Sequence, residues 1–344
     1  MSNILLVDPG YSKYPNLALM KISTYHKQKG DNVFYQKGFS KQNVKPNIIY
    51  ISTLFTYKAK KSIQVINEYQ RYYPNADIKV GGIYASLMPE HLEKHTGIKP
   101  HIGLWEEVEY LPPDYSLFSD HKYNDTSFVF TTRGCPNKCG FCAVDTLEPD
   151  YLIRNNWTNS IDKNKPFIMV HDNNITSVEF NHFKNVIKEL KKFNKRVTFD
   201  NGFDCRLIEA KHINILKEIK FKRDGIRMAF DTMAQDGYIQ NAIKMMLDRG
   251  VPKSKIMVYV LFNYKDDLQE ALYRANEVKK IGAKVYPQRY VPLDWTEKPG
   301  DYVGPKWDKK MVREFRFYWL MHGFNSRMTF YEYLKAGGEK ELTG

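Results

Sequence analysis

Three of the chain's four cysteines crowd into eight positions, as Cys135, Cys139 and Cys142. They lie in the run Thr131-Thr132-Arg133-Gly134-Cys135-Pro136-Asn137-Lys138-Cys139-Gly140-Phe141-Cys142. The C-x3-C-x2-C spacing lets one loop wrap three thiolates around a compact centre, and Gly134, Pro136 and Gly140 favour tight turns over helix. Soft thiolates select zinc or an iron–sulfur cluster. A structural zinc needs a fourth ligand, and no Cys or His pair of matching spacing lies nearby. On a four-iron cluster, three cysteines leave one iron open to a substrate or cofactor. Four cysteines in 344 residues make no disulfide scaffold, so the spacing belongs to a metal site in a reducing compartment. The histidines show no ligand-like spacing.

The elements that must position this loop are legible as alternation. In the first hundred residues, strands at Ile4–Val7, Asn32–Tyr35, Ile48–Ser52 and Ile78–Val80 alternate with helices at Leu17–Lys29 and Ser62–Tyr73. That pattern predicts a mostly parallel, doubly wound sheet over 1–105. Residues 106–126, with Pro112-Pro113 and scattered acids, read as a connector. Over 127–299 the alternation restarts with strands at Phe128–Thr132, Phe167–His171, Val197–Asp200, Ile226–Asp231, Ile256–Phe262 and Lys284–Val291. Helical patterns at 178–194, 208–219, 235–249 and 265–281 separate them, which suits a β/α barrel with its chemistry at the C-terminal strand ends. Residues 300–344 form a helical extension whose pattern over 308–322 predicts packing over the mouth or bottom of that barrel.

With the cysteine motif following the first barrel strand, the sequence resembles the radical S-adenosylmethionine (SAM) superfamily. The resemblance covers about 127–295 and implies a partial (β/α)6 barrel. It implies that Cys135, Cys139 and Cys142 ligate a [4Fe-4S] cluster and that SAM chelates the fourth iron. The implied activity is reductive cleavage of SAM to a 5′-deoxyadenosyl radical that abstracts hydrogen from a substrate. Phe141 sits where the family places an aromatic against adenine. His171-Asp172-Asn173-Asn174 matches in position the segment that holds the SAM amino group, although the usual Gly-Gly-Glu is absent. Asn201 and Gly202 fall near the ribose and carboxylate contacts, Arg206 is placed to pair with the SAM carboxylate, and Leu261 and Phe262 fall where backbone groups meet adenine. Each of these polar residues can alternatively be a satisfied strand-end cap. Cys205 reads first as a buried thiol that packs as a small hydrophobe, and alternatively as a hydrogen donor to a radical intermediate. Asp231, Gln288, Arg289 and Tyr290 are the substrate-side candidates at the barrel mouth, Tyr290 with a catalytic role.

The N-terminal unit resembles the Rossmann-like cobalamin-binding domain that precedes the barrel in one radical SAM class. The residues that carry this are Ile4-Leu5-Leu6-Val7-Asp8-Pro9-Gly10, Ile51-Ser52-Thr53, Val80-Gly81-Gly82-Ile83-Tyr84 and Leu111-Pro112-Pro113-Asp114-Tyr115. No Asp-x-His-x-x-Gly occurs, and little chain lies between Pro89 and the connector for a further strand–helix pair. A degenerate scaffold or substrate-docking domain is therefore expected in preference to a cobalamin site.

Composition constrains the partners. Hydrophobic residues make up 42% and charged residues 26%, which excludes disorder. No apolar run is long enough to span a membrane, and the N-terminus lacks a signal-peptide pattern, so a cytoplasmic protein is expected. The 52 basic and 39 acidic side chains leave a net charge of +13. Residues 127–344 hold +10 of it, yet Lys outnumbers Arg 39 to 13 and the lysine runs fall on predicted helix faces. A small-molecule substrate is favoured. Modification of RNA or DNA is the alternative, with the tail's Trp307, Phe315, Phe317, Tyr318, Trp319, Phe324 and Tyr331 available for base stacking. A non-enzymatic iron–sulfur binding protein is the third possibility. Radical SAM chemistry also implies an electron donor such as flavodoxin or ferredoxin.

Overall fold

The computed structural model describes residues 1–10, 14–118, 122–321, 323 and 327–341. Phe324 of the tail lies outside them. The chain divides into two compact units that interleave in sequence: residues 1–129, 133–166 and 292–299, and residues 130–132, 167–291 and 300–344. The boundary thus differs from a single break at 127, because the cysteine loop clusters with the N-terminal unit.

The first unit carries a parallel sheet of β1 (Asn3–Asp8), β2 (Asn32–Lys37), β3 (Ile48–Thr53) and β4 (Asp77–Gly82) in the order β2-β1-β3-β4. Alternating side chains of β1 enter two separate cores, as a doubly wound sheet requires. Ile4 and Leu6 pack with Leu19 of α1 (Leu17–Gln28), while Leu5 and Val7 pack with Val65, Ile66 and Tyr69 of α2 (Ala59–Tyr72). Asn16 caps α1 by accepting the Leu19 amide at 3.2 Å. The Gly81-Gly82 pair has a steric reason. Gly82 has φ +101°, and a Cβ there would come within 2.1 Å of the Thr53 carbonyl oxygen. Helices α3 (Ile83–Leu87) and α4 (Pro89–Thr96) follow, and α4 stops at Gly97 in the left-handed region.

The connector segment 106–126 is packed against its surroundings. It contains α5 (Glu106–Glu109) and buries Val108 and Phe118. The Tyr115 hydroxyl donates to Ser160 O at 2.8 Å and accepts the Phe128 amide at 2.8 Å. Strand β5 (Thr126–Val129) is fully buried; the two-residue β6 (Thr132–Arg133), α6 (Val144–Leu147) and the two-residue β7 (Leu152–Ile153) follow.

The second unit is a partial barrel of parallel strands. β8 (Phe167–Val170), β9 (Arg196–Phe199) and the two-residue β10 (Lys220–Phe221) pair in parallel. β11 (Ile226–Ala229), β12 (Ile256–Phe262) and β13 (Lys284–Arg289) form a second parallel set. A parallel bridge between Phe203 and Met228 joins the two sets. Gly202, at φ +91°, makes this seam possible, since a Cβ would sit 1.9 Å from Arg227 O. Amphipathic α7 (Phe180–Phe193) buries Phe183, Val186, Ile187 and Leu190, and α8 (Ala210–Leu216), α9 (Tyr238–Asp248) and α10 (Leu268–Ile281) complete the alternation.

The tail, α11 (Lys309–Met321) and α12 (Phe330–Lys335), is not a lid of exposed rings. Trp307, Phe315, Tyr318 and Trp319 are buried, and Phe315 lies 4.7 Å from the Phe262 ring. Lys306, Lys309, Lys310, Arg313, Arg316 and Arg327 point to solvent. Phe317 is half-buried and Tyr331 exposed, so four of these rings serve packing while Tyr331 faces solvent. Among the described residues, no helix is long and apolar enough to cross a membrane.

Candidate functional site

In the first unit, the three cysteines lie in an irregular loop. Residues 134–143 hold no helix or strand; Cys142 N–H closes a turn on Cys139 O at 2.9 Å. Gly134 is obligatory: it has φ +74°, and a Cβ would meet Asp150 O at 2.1 Å. Its amide donates to Glu148 Oε2 at 2.7 Å. Cys135, Cys139 and Cys142 are partly exposed thiols, none in a disulfide. Among the described residues, no three His, Cys, Asp or Glu side chains are gathered closely enough to hold a metal ion. The donor set is nevertheless that of a soft-metal or iron–sulfur ligand loop. Phe141 is half-buried in the same loop.

A buried ionic cluster flanks this loop, and sequence reasoning missed it. Glu109 takes Lys21 Nζ at 2.9 Å, Arg133 Nε at 3.3 Å and Arg154 Nη2 at 3.7 Å. Lys21 and Arg154 also donate to Glu109 O, at 2.8 and 2.7 Å. Arg133 reaches Glu148 at 3.3 Å as well. Three cations and two carboxylates thus tie both ends of the cysteine loop to α1 and α5. Burial pushes Lys21 down to about 8 against the pull of Glu109. Glu109 stays below the usual carboxylate range, because Arg133 and Lys21 outweigh the burial that would raise it.

In the second unit, the predicted cofactor residues gather at the C-terminal strand ends, but several are already engaged. Asp172 is buried and accepts the Thr131 amide at 2.6 Å, the Thr132 amide at 3.1 Å and the Thr131 hydroxyl. Burial raises its carboxyl to about 6 against those donors. Asn174 accepts the Thr176 hydroxyl at 2.8 Å and faces Asp204 at 3.5 Å. Asn173 is half-buried, and Asn201 is exposed with Nδ2 donating to His171 O at 3.1 Å. Arg206 is exposed and forks onto Asp204, with Nε at 2.8 Å and Nη2 at 2.6 Å. Leu261 O accepts Arg274 Nη1 at 2.7 Å, Phe262 O accepts the Tyr290 amide at 2.9 Å, and the Phe262 ring is core.

The catalytic and substrate candidates separate. Cys205 is 4% exposed, its Sγ 4.0 Å from Ala229 O, and burial pushes the thiol up to about 12. Asp231 carries a carboxyl raised by burial to about 7, with Arg274 and Arg206 pulling the other way. Its side chain has no hydrogen bond among the described residues. Gln288 is exposed, and pairing Leu261 with Gln288 puts both on one face of the sheet. Arg289 does not join them, because Nη2 donates to Tyr302 O at 2.5 Å and to Gly300 O at 3.4 Å. It fastens the tail. Tyr290 packs edge-on against Tyr264 at 4.6 Å and Tyr302 at 5.8 Å.

Two further arginines organise these strand ends. Arg274, 1% exposed, donates Nη1 to Phe230 O, Asp231 O and Leu261 O at 2.7–2.9 Å and pairs with Asp266. It falls on the apolar stripe of α10 with Ala271, Ala275 and Val278, which is a signal readable from sequence. Arg227 pairs with Asp200, which also faces His171 Nδ1 at 3.3 Å; Tyr259 Oη accepts Arg227 Nη1 at 2.8 Å. Asp200 lies below the usual range because His171 and Arg227 outweigh its burial. The parallel pairing of β11 with β12 puts Arg227 and Tyr259 on one face.

No protein-family model matches the chain, and no curated protein matches it. Among solved structures, it is similar to methylornithine synthase (PylB), at 13% identity over 59% of this chain and 67% of that one, with a TM-score of 0.39. It is also similar to a response regulator from Thermotoga maritima, at 13% identity over 29% of this chain and 82% of that one, with a TM-score of 0.23. At such identities and scores, neither likeness speaks to what this chain binds or does.

Proposed function

We propose that the chain is a radical SAM enzyme acting on a small molecule. The observation that carries this is the loop of three unbridged, partly exposed cysteines, which leaves a strand end in a protein that also holds a partial parallel barrel. Cys135, Cys139 and Cys142 would ligate a [4Fe-4S] cluster, and the loop would draw them together on ligation, as is usual for metal sites that are not preformed. The cluster with SAM supplies a strongly reactive organic radical when bound. The protein's own residues do the rest. The Glu109 cluster holds the loop ends, Asp172 holds Thr131 and Thr132 ahead of them, and Asn173, Asn201 and the Arg206–Asp204 pair offer polar groups to SAM. Asp231 and Gln288 offer polar groups to the substrate.

The N-terminal unit is proposed as a scaffold and not a corrinoid site. The ends of β3 and β4 are knitted together, with Thr53 Oγ1 donating to Gly81 O at 2.9 Å and accepting the Ala85 amide at 3.1 Å.

Anaerobic reconstitution with iron and sulfide, followed by dithionite and SAM, tests the proposal. A four-iron signal and 5′-deoxyadenosine are expected from the wild type, and neither from a Cys135→Ala/Cys139→Ala/Cys142→Ala variant. A fully loaded wild type that leaves SAM intact would overturn it.

A further inference from the structure

At the N-terminal edge of the strands in the second unit lies a cleft of about 530 Å³, lined by Phe167, Arg196, Phe221, Lys222, Arg223 and Lys255. Phe167 and Arg196 open β8 and β9, Phe221 closes β10, and Lys255 precedes β12. The cleft is therefore at the opposite edge from Asp172, Asp231 and Gln288. Its size falls in the range of small-ligand pockets, roughly 300–1,000 Å³, and far exceeds what one phosphate needs.

Four cations meet here, and no acidic side chain lines the cleft. Six arginines elsewhere in the chain, Arg133, Arg154, Arg206, Arg227, Arg274 and Arg313, pair with carboxylates. Arg196 and Arg223 have no ion pair or hydrogen bond from their side chains among the described residues. Two of the cations are held in place. Lys255 Nζ donates to Phe221 O at 2.8 Å, and Lys222 Nζ stands 3.3 Å from the Phe167 ring centroid. An ordinary solvated face mixes signs, whereas like charges around one recess repel each other until an anion enters. Guanidinium groups fork onto phosphate oxygens and also stack on planar rings, and the two Phe rings add flat apolar walls.

We propose that this cleft is a binding site for a nucleoside phosphate, with the phosphates on Arg196, Arg223, Lys222 and Lys255 and the base against the phenyl rings. SAM carries no phosphate, so the proposal is independent of the radical chemistry.

Calorimetric titration of the full chain with GDP and UDP tests it, since neither carries the adenine of SAM. Both should bind at micromolar concentrations. An Arg196→Glu/Arg223→Glu variant, exposed at both positions, should weaken them at least tenfold with an unchanged melting temperature; Arg223→Gln should weaken them severalfold should the double variant misfold. Excess SAM should not displace them. Any of four results would overturn the site: no binding of either probe at about 1 mM, undiminished binding in the variants, pyrophosphate binding as tightly as GDP, or binding of a single-stranded oligonucleotide alone.

Discussion

Asp172 accepts the backbone amide of Thr131 at 2.6 Å and its hydroxyl as well, so a buried carboxylate at the end of β8 grips the residues that lead into the cysteine loop. Its oxygens are occupied by the protein itself, which makes Asp172 a positioning residue. Asp172→Leu leaves these buried donors without an acceptor and should cost about 1–3 kcal/mol of stability. Urea denaturation measures that cost, and a reconstituted variant should also hold less iron than wild type.

Glu109 and Gly134 fix the loop from the first unit. Glu109→Gln leaves Lys21, Arg133 and Arg154 buried around a neutral group and should cost about 3–5 kcal/mol. Gly134→Ala drives a Cβ into Asp150 O and should be comparably severe. Melting temperature and iron content should fall together in both. Loss of neither would show that the loop is held by other contacts.

Arg227 and Asp200 form a half-buried pair whose two halves are unequal to lose. Arg227→Met leaves Asp200 with His171 alone and should cost about 1–3 kcal/mol, whereas Arg227→Met with Asp200→Leu should recover most of that. A double-mutant cycle in urea gives the coupling directly.

Asp231 sets a pH dependence. Its carboxyl is raised from 3.8 to about 7 by burial, so the folded state binds a proton that the unfolded state releases above pH 4. The associated stability is fully present below pH 4 and is lost as pH rises towards 7. Asp231→Asn should therefore gain on wild type across that window, by on the order of 2–4 kcal/mol at neutral pH. Parallel stability curves for the two proteins from pH 4.5 to 8 would refute the assignment.

The thiols should titrate in two classes. In the iron-free chain, Cys135, Cys139 and Cys142 are accessible, whereas Cys205 is 4% exposed and has its thiolate disfavoured to about 12. Ellman's reagent should modify three thiols quickly and the fourth only in denaturant. Cys205→Ala should keep full turnover, since the thiol's observed contacts are those of packing.

The parts of this protein decided by local pattern were legible without coordinates. The continuous apolar runs at Ile4–Val7 and Ile256–Phe262, the helix stops at Gly30 and Gly282, and the turn-forming Gly134 each depend on neighbours a few residues away. The three cysteines of the loop are local in the same sense, since their spacing spans eight positions. What stayed hidden depends on partners far along the chain. Lys21 meets Glu109 across 88 positions, and Arg227 meets Asp200 across 27. A buried charge looks like a surface charge in a one-dimensional sequence, and only its tertiary partner makes burial affordable. For the same reason, Arg289 reads as a mouth residue until the tail is seen to occupy it, and Arg196 and Arg223 read as ordinary surface cations until the fold sets them beside two Phe rings and no acid.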